Sequence, residues 1–321
     1  TWTFTATAEV VLHVGATVEL VDIDESTLLL DLDAVERRMR DEVSVRAVIP
    51  VHFAGQTCDM QRLMAMARHY GVAVIEDAAH AFPATCGGRP VGSLGDATVF
   101  SFYATKTITT GEGGMVTTAE SALAERMRTM RLHGIDRDVF DRYRRPGATW
   151  HYDVVDAGFK YNLTDMAAAI GRVQLARAEK LRAARERIAT YYLESLADLP
   201  LSLPVHRDGR DLHAWHLFVV QLLDTAPVDR DTLSAELARR GIGTSVHFRP
   251  LHHHPFWKRH ATYPGGLARA DRAFERVLSL PLYATLTDMQ ARRIVQALCE
   301  ILGAEHLGCR EDGATHERAA A

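Results

Sequence analysis

The 321-residue sequence has few cysteines, no surplus of basic residues and no long apolar run. The absence of a C-x-x-C pair argues against a zinc knuckle or a disulfide framework and favours a reduced, cytoplasmic setting. The four cysteines are Cys58, Cys86, Cys299 and Cys309. Lysine and arginine total 37 against 41 aspartates and glutamates, a net charge of −4, so a nucleic-acid partner is not expected. Apolar runs such as 72–75 are too short to cross a bilayer, so no membrane partner is expected either.

Apolar runs alternate with amphipathic stretches through the first half, a pattern typical of a parallel sheet covered by helices. The predicted strands are 18–21, 47–51, 72–75, 97–102 and 115–118, and the predicted helices are 33–39, 59–70 and 120–131. Asp59 is a suitable N-cap for the second of these helices, and Gly71 can end it.

The second half differs in character from the first. It predicts a long helix over 164–196, strands over 217–222 and 244–248, and helices over 229–240, 267–278 and 287–302. We therefore expect an α/β fold with a mostly parallel central sheet in a large domain over 1–175, followed by a smaller α+β domain over 176–302. Residues 303–321 lack periodicity and are expected to be disordered.

Polar residues cluster just after the predicted strands, where open parallel sheets bind ligands. Asp77 and His80 follow the strand over 72–75, and Ser101 and Lys106 lie at the end of the strand over 97–102. Each has an ordinary explanation by itself, since an isolated lysine is usually solvated and an aspartate there usually forms a turn. Together with the aromatic Phe4 they provide what pyridoxal phosphate needs, namely a Schiff-base lysine and a carboxylate for the pyridinium nitrogen.

Four segments resemble those of the DegT/DnrJ/EryC1/StrS sugar aminotransferases: E-D-A-A-H-A (76–81), F-S-F-Y-A-T-K (100–106), G-E-G-G (111–114) and G-F-K-Y-N-L-T-D (158–165). The resemblance extends over 1–302. The segments H-A-W-H-L-F (213–218) and R-G-I-G-T-S-V-H-F (240–248) also resemble the UDP-4-amino-4-deoxy-L-arabinose aminotransferase branch. The resemblance implies fold type I of the pyridoxal-phosphate enzymes and a homodimer with shared active sites.

The resemblance also implies a role for each residue of the cluster. Lys106 would form the Schiff base and later move the substrate proton, and Asp77 would hold the pyridinium proton. His80 would lie near the 3-oxygen of the cofactor ring, and Ser101 would bind the cofactor phosphate. Phe4 would pack against the ring.

Lys160 and Asn162 occupy the segment that, in relatives, reaches across the dimer to the cofactor phosphate of the neighbouring subunit. Which of the two makes that contact is open, and an alternative is that both only cap the helix beginning near Thr164. His247 resembles a residue that lines the sugar-nucleotide cleft, although a purely structural histidine is equally compatible with the sequence.

The triplet His252, His253 and His254 invites comparison with a metal site. Adjacent residues on a regular element cannot all face one ion, so a polar loop is favoured and no metal is expected. The pair His133 and Gly134 is assigned to a turn with a possible cleft contact.

The implied function is transamination of a nucleotide-linked keto-sugar, with L-glutamate as amino donor. Lys106 argues against the dehydratase branch of the family, which has histidine at this position. Relatives carry a further N-terminal Gly-Thr or Ala-Thr loop that cradles the cofactor phosphate, so the sequence is expected to be a fragment lacking several backbone donors worth about 1–3 kcal/mol each. The alternative is a catalytically impaired paralogue that binds nucleotide-sugar or serves as a dimer partner.

Overall fold

The computed structural model describes residues 1–136, 151–205 and 211–303. The helices are α1 (Ala6–His13), α2 (Leu32–Asp41), α3 (Met60–Tyr70), α4 (Ser121–Met130), α5 (Asp165–Ala176), α6 (Ala178–Ser195), α7 (Arg230–Arg239), α8 (Trp257–His260), α9 (Ala268–Arg276) and α10 (Asp288–Leu302). The strands are β1 (Val18–Glu19), β2 (Ala47–Val48), β3 (Ala73–Asp77), β4 (Thr85–Cys86), β5 (Arg89–Pro90), β6 (Ala97–Ser101), β7 (Gly114–Thr117), β8 (Leu201–Ser202), β9 (Phe218–Leu222), β10 (Ala261–Thr262) and β11 (Val277–Leu280).

The central sheet has the strand order β2-β3-β6-β7. The first three strands are parallel, and β7 is antiparallel to β6. A second sheet, β11-β9-β8, is antiparallel, and the short pairs β1-β10 and β4-β5 complete the described strands. The predicted α/β class with a mostly parallel central sheet is confirmed.

Short polar side chains determine where several helices begin. Asp59 accepts the backbone N–H of Arg62 at the start of α3, and Gly71 ends that helix in a left-handed conformation with φ 67°, as predicted. Thr287 begins α10 through a reciprocal capping box with Gln290. Asp59 and Thr287 each accept a backbone N–H of the first turn that the helix itself leaves unpaired.

Three predicted elements differ from the structure. The helix predicted over 267–278 ends at Arg276, because Val277–Leu280 form the buried strand β11. The helix predicted over 164–196 is divided into α5 and α6, because Arg177 is at once the C-cap of one and the N-cap of the next. The strand predicted over 244–248 is not formed as a ladder, since only Ser245 pairs with Ser279 in an isolated bridge.

Most buried apolar side chains lie in two clusters. One packs α6, α7 and α10 against β9 and β11, with Tyr192 and Phe218 fully buried. The other packs α2 and α3 against the central sheet, and it also includes Val219 and Val277 from the second half. The boundary predicted at 175/176 stays a prediction. Residues 304–321, expected to be disordered, lie outside the described residues, and no helix among those described is long and apolar enough to span a membrane.

Candidate active site

Asp77 is the last residue of β3, a strand with a neighbour on each side in the central sheet. Its Oδ2 accepts a 2.7 Å hydrogen bond from the hydroxyl of Thr7, in the first turn of α1. Its Oδ1 accepts a 3.0 Å hydrogen bond from the backbone N–H of Ala79. The hydroxyl of Thr3 lies 2.7 Å from that of Thr7. The carboxylate is therefore held on both oxygens at the carboxyl end of the sheet, the edge where ligands bind in such folds.

Lys106 follows β6, the strand paired with β3, so it belongs to the same edge of the sheet as Asp77. Burial lowers the pKa of Lys106, and the nearby carboxylate of Asp77 opposes this by raising it. Because such an electrostatic effect falls off with distance, it places the amine and the carboxylate in one region of the molecule. An amine with a lowered pKa is more often neutral, the form that attacks a carbonyl carbon.

His80 is buried three residues after Asp77. The ring centroid of His80 lies 6.1 Å from that of Phe53 and 5.9 Å from that of Phe248. Burial lowers its pKa well below 6.5, and the charge of Lys106 acts in the same direction. Its Nδ1 is buried without a hydrogen-bond partner. His80 is thus a neutral imidazole close to the lysine.

The remaining two predicted cofactor residues, Phe4 and Ser101, lie just before α1 and at the end of β6. Phe4 precedes α1 and is 61% exposed, with its ring centroid 6.2 Å from that of Phe248. Ser101 is the last residue of β6, and its hydroxyl accepts a 3.3 Å hydrogen bond from the N–H of Tyr103. The contacts of Phe248 with both Phe4 and His80 connect the aromatic residue before α1 to the histidine after β3.

Lys160 and Asn162 do not join this group within one chain. Lys160 donates a hydrogen bond from Nζ to Oδ1 of Asn162; Lys160 is exposed and Asn162 is partly buried. The alternative that they cap the following helix is wrong, because Thr164 is the N-cap of α5 and accepts the N–H of Ala167.

His247 has features of both roles considered for it. Its Nδ1 lies 2.9 Å from the hydroxyl of Ser279 in β11, a structural contact. Burial lowers its pKa, and Lys106 contributes to the same shift, so the ring also lies near the candidate active site. The turn at His133 and Gly134 is present, with φ values of 57° and 69°.

His252 and His253 lie in a 3₁₀ turn over Leu251–His253, and His254 is its C-cap. The Nε2 atoms of His252 and His253 lie 2.7 and 2.6 Å from Oδ1 of Asp271 in α9. The argument that adjacent residues on a regular element cannot all face one ion does not apply to His252 and His253, because this turn is not a regular helix or strand; His254 does not join the group. One ligand atom each of His252, His253 and Asp271 lies within 4.8 Å of the other two, so these side chains could share a cation. The hydrogen bonds from the two rings to Asp271 account for the same arrangement.

Comparison with known proteins agrees with this geometry. The family model described as the DegT/DnrJ/EryC1/StrS aminotransferase family matches residues 1–299. The chain belongs to this family. The spore coat polysaccharide biosynthesis protein SpsC of Bacillus subtilis is 42% identical over 305 residues, which are 94% of this chain and 77% of SpsC.

Solved structures of DegT/DnrJ/EryC1/StrS aminotransferases have the same fold. A putative sugar aminotransferase from Streptococcus pneumoniae in its PMP form matches with a TM-score of 0.85 and 29% identity, covering 94% of this chain and 80% of that one. Its PLP form matches with a TM-score of 0.84. DesV of S. venezuelae matches with a TM-score of 0.82 and 34% identity, covering 93% and 76% of the two chains. The chain is thus a sugar aminotransferase of a family that depends on pyridoxal phosphate.

The residues present fit this cofactor. A pyridinium nitrogen needs a fixed carboxylate, and Asp77 is fixed by Thr7 and Ala79. A carbonyl-reactive amine must be partly desolvated, and burial lowers the pKa of Lys106. The donor set is therefore suited to pyridoxal phosphate.

Three residues around the site were not predicted from the sequence. Thr7 lies on α1, a helix that was not predicted, so its contact with Asp77 was missed with it. His216 lies inside the motif 213–218, which indicated a branch of the family but no role for any one residue. Phe248 follows His247, and no pattern in the sequence indicates that its ring contacts two distant segments.

Proposed function

We propose that the protein transfers an amino group from L-glutamate to a nucleotide-linked keto-sugar. The observation that supports this most directly is that Asp77 and Lys106 follow paired parallel strands at one edge of the sheet, where the carboxylate of Asp77 raises the pKa of Lys106 against the effect of burial. Family membership gives the reaction type, whereas the nucleotide and the amino donor belong to the proposal. The motifs at 213–218 and 240–248 favour a substrate like that of the UDP-4-amino-4-deoxy-L-arabinose branch.

Each side chain contributes a separate function in this proposal. Bound pyridoxal phosphate supplies an electron-poor ring that stabilises negative charge on the neighbouring carbon. Lys106 binds the cofactor through Nζ and moves a proton as a base, for which its lowered pKa is suited. Asp77 keeps a proton on the ring nitrogen, and neutral His80 approaches the ring oxygen. Ser101 binds the phosphate, Phe4 covers the ring, and His247 lines the substrate cleft.

The proposal includes a homodimer in which Lys160 or Asn162 completes the site of the partner. Two observations support it. Lys160 is exposed and Asn162 partly buried, and neither has a hydrogen bond or ion pair with Asp77 or Lys106 in the described part of the chain. The adjacent helix α5 has no buried residue although it is mostly apolar, with Met166 78% and Val173 60% exposed. Burying such a face against a second copy would be favourable.

The cytoplasmic location is also part of the proposal. It rests on Cys58 and Cys86, which are both buried and not joined by a disulfide.

Replacement of Lys106 tests the catalytic proposal. Lys106→Ala is expected to abolish the cofactor absorbance band that remains after dialysis, and to lower amine transfer by at least about a thousandfold, because both the attachment point and the base are lost. Lys180→Ala, which removes an exposed lysine of α6, is the matched control and should behave like wild type. The assay supplies glutamate or glutamine with a panel of nucleotide keto-sugars and measures product mass.

A wild-type protein that binds the cofactor but forms no amino-sugar with any member of the panel would favour the alternative of a binding or dimer-partner subunit. An absorbance band that survives in the Lys106→Ala variant would contradict the role of Lys106 itself.

Replacement of an exposed apolar residue tests the dimer. Ile170→Glu on α5 is expected to shift the protein from dimer to monomer in light scattering after size exclusion, because a charge would be buried in the interface. Leu223→Glu, at a similarly exposed apolar position beyond β9, should stay dimeric. A fully active wild-type monomer would overturn the shared-site proposal.

A further inference from the structure

A buried histidine that has no role in the proposal so far, His216, lies against His80. It immediately precedes Leu217 and β9, and the two ring centroids are 4.3 Å apart at an interplanar angle of 39°. The side chains are 7% and 9% exposed. The Nδ1 atom of each ring is buried without a hydrogen-bond partner. Because buried polar atoms are nearly always paired, two unpaired atoms in adjacent rings need an explanation.

The backbone around His216 is held by groups that are distant in sequence. Its N–H donates a 3.0 Å hydrogen bond to the carbonyl of Ala54. The Nη1 of buried Arg185 donates to the carbonyls of Trp215 and His216 at 3.3 and 3.2 Å. The same Nη1 also donates to the carbonyl of Leu282. His216 is therefore a rigid support for the ring that it touches.

Both rings are kept neutral by their surroundings. Burial lowers the pKa of His216 well below 6.5, and the neighbours that add to this shift are His80, Lys106, Arg185 and His247. Burial, Lys106 and His247 lower the pKa of His80 in the same way, while the carboxylate of Asp77 acts on Lys106. A neutral imidazole has one N–H. An unpaired buried N–H is rarer than an unpaired acceptor, so that hydrogen belongs on Nε2 of each ring.

We propose that His216 is a positioning residue that holds His80 as a neutral imidazole protonated on Nε2. The proposal rests on the proposed function, in which His80 approaches the ring oxygen of the cofactor. By packing against His80, His216 keeps water away from the Nδ1 atom. Water at that position would pair with Nδ1 and make a second protonation easier. Since the Nδ1 of His216 makes no hydrogen bond, the ring acts through its shape and not through that nitrogen.

Histidine NMR tests this in protein labelled with ¹⁵N-histidine, both with and without pyridoxal phosphate. The His80 signals are assigned by their loss in His80→Gln. In wild type they should still show a neutral ring protonated on Nε2 at pH values below 6.5, where an ordinary histidine is mostly protonated. In His216→Ala the pKa of His80 should rise by about one unit or more, because water gains access. His216→Phe restores the packing and should return both the tautomer and the pKa to wild-type values.

Two further variants separate this effect from general loss of stability. Val220→Ala removes a fully buried side chain of β9 that packs in the cluster of α6, α7 and α10 with β9 and β11. It should lower stability and leave the His80 signals unchanged. His216→Val is a milder truncation that keeps the test available if the alanine variant does not fold. As a second readout, the pH at which the bound cofactor changes its absorption should shift in His216→Ala and not in Val220→Ala.

The inference is overturned if folded truncation variants of His216 leave the tautomer and pKa of His80 unchanged. It is equally overturned if His216→Phe shifts them as much as His216→Ala does. A wild-type protein that fails to bind pyridoxal phosphate would count against the proposed function instead. The NMR of the cofactor-free protein would still decide the role of His216.

Discussion

Lys106 and Asp77 illustrate how two opposing effects act on a single side chain. Burial favours the neutral amine and lowers the pKa of Lys106, whereas the carboxylate favours the ammonium and raises it. The net direction is downward, so burial is the larger effect. A lysine that was simply solvated would show neither effect, and this distinguishes Lys106 from the ordinary surface lysine that its sequence position alone would suggest.

Thr7 gives a test at the scale of one hydrogen bond. Thr7→Val removes the 2.7 Å hydrogen bond to Oδ2 of Asp77 with little change in volume. A hydrogen bond to a charged group is worth about 1.5–3 kcal/mol, so we expect the dissociation constant of pyridoxal phosphate to rise by about tenfold or more. Titration of cofactor-free protein by fluorescence or absorbance measures this.

Thr117→Val is the matched control, since it removes one threonine hydrogen bond, to the carbonyl of Gly92, from β7. It should leave cofactor affinity unchanged. Equal affinities in wild type and Thr7→Val would show that the hydroxyl does not help to hold Asp77 for the cofactor.

At the scale of elements, the parallel arrangement of β2, β3 and β6 determines where the chemistry lies. Since β3 and β6 run in the same direction, their last residues and the loops beyond them meet at one edge. Gly114, the first residue of β7, allows β7 to pair closely with β6. A Cβ at this position would lie 2.8 Å from the carbonyl oxygen of Phe100 in β6. The segment 111–114 resembles the family, and the structure shows that close strand pairing requires a glycine at position 114.

The turn over Leu251–His253 and helix α9 offer a test of how elements are held together. Asp271→Ala removes the carboxylate that both His252 and His253 contact. We expect the free energy of unfolding in urea to fall by about 1–3 kcal/mol, because two partly buried ring nitrogens lose their partner.

His254→Ala, the third residue of the triplet, is the control for this measurement and should change stability by less than about 0.5 kcal/mol. If both variants destabilise the protein equally, the contact with Asp271 does not explain the effect.

At the scale of the whole molecule, the buried neutral histidines make stability depend on pH. The pKa values of His80 and His216 are well below 6.5 in the folded protein, so below pH 6.5 the unfolded chain binds protons that the folded chain does not. The free energy of unfolding should therefore fall as the pH decreases below 6.5, by about 1.4 kcal/mol per pH unit for each such histidine.

Urea denaturation at a series of pH values between about 8 and 5 measures this slope. His216→Phe removes one of the two groups and should make the slope shallower below pH 6.5. An unchanged slope in that variant would contradict a neutral His216 in the folded protein.

Much of the fold and part of the site could be predicted from local patterns. Asp59 and Gly71 bound α3 as expected, because caps and left-handed turns depend on neighbouring residues. Asp77 and Lys106 could be paired as candidates since both follow apolar strands. The break at Arg177 was missed because the Ala-rich sequence on both sides has uniform helical character, and the convergence of His252 and His253 was missed because it depends on a 3₁₀ turn.

The sequence by itself determined the α/β class, the strands that end in functional residues and the family with its cofactor, because periodicity, caps and ordered motifs are local properties of the chain. Only the tertiary structure decided that Thr7 holds Asp77, that His216 packs against His80 and that the pair Lys160 and Asn162 lies apart from both. The first two are contacts between residues far apart in the sequence, 70 positions for Thr7 and Asp77. They depend on how strands and helices pack, which no local pattern encodes.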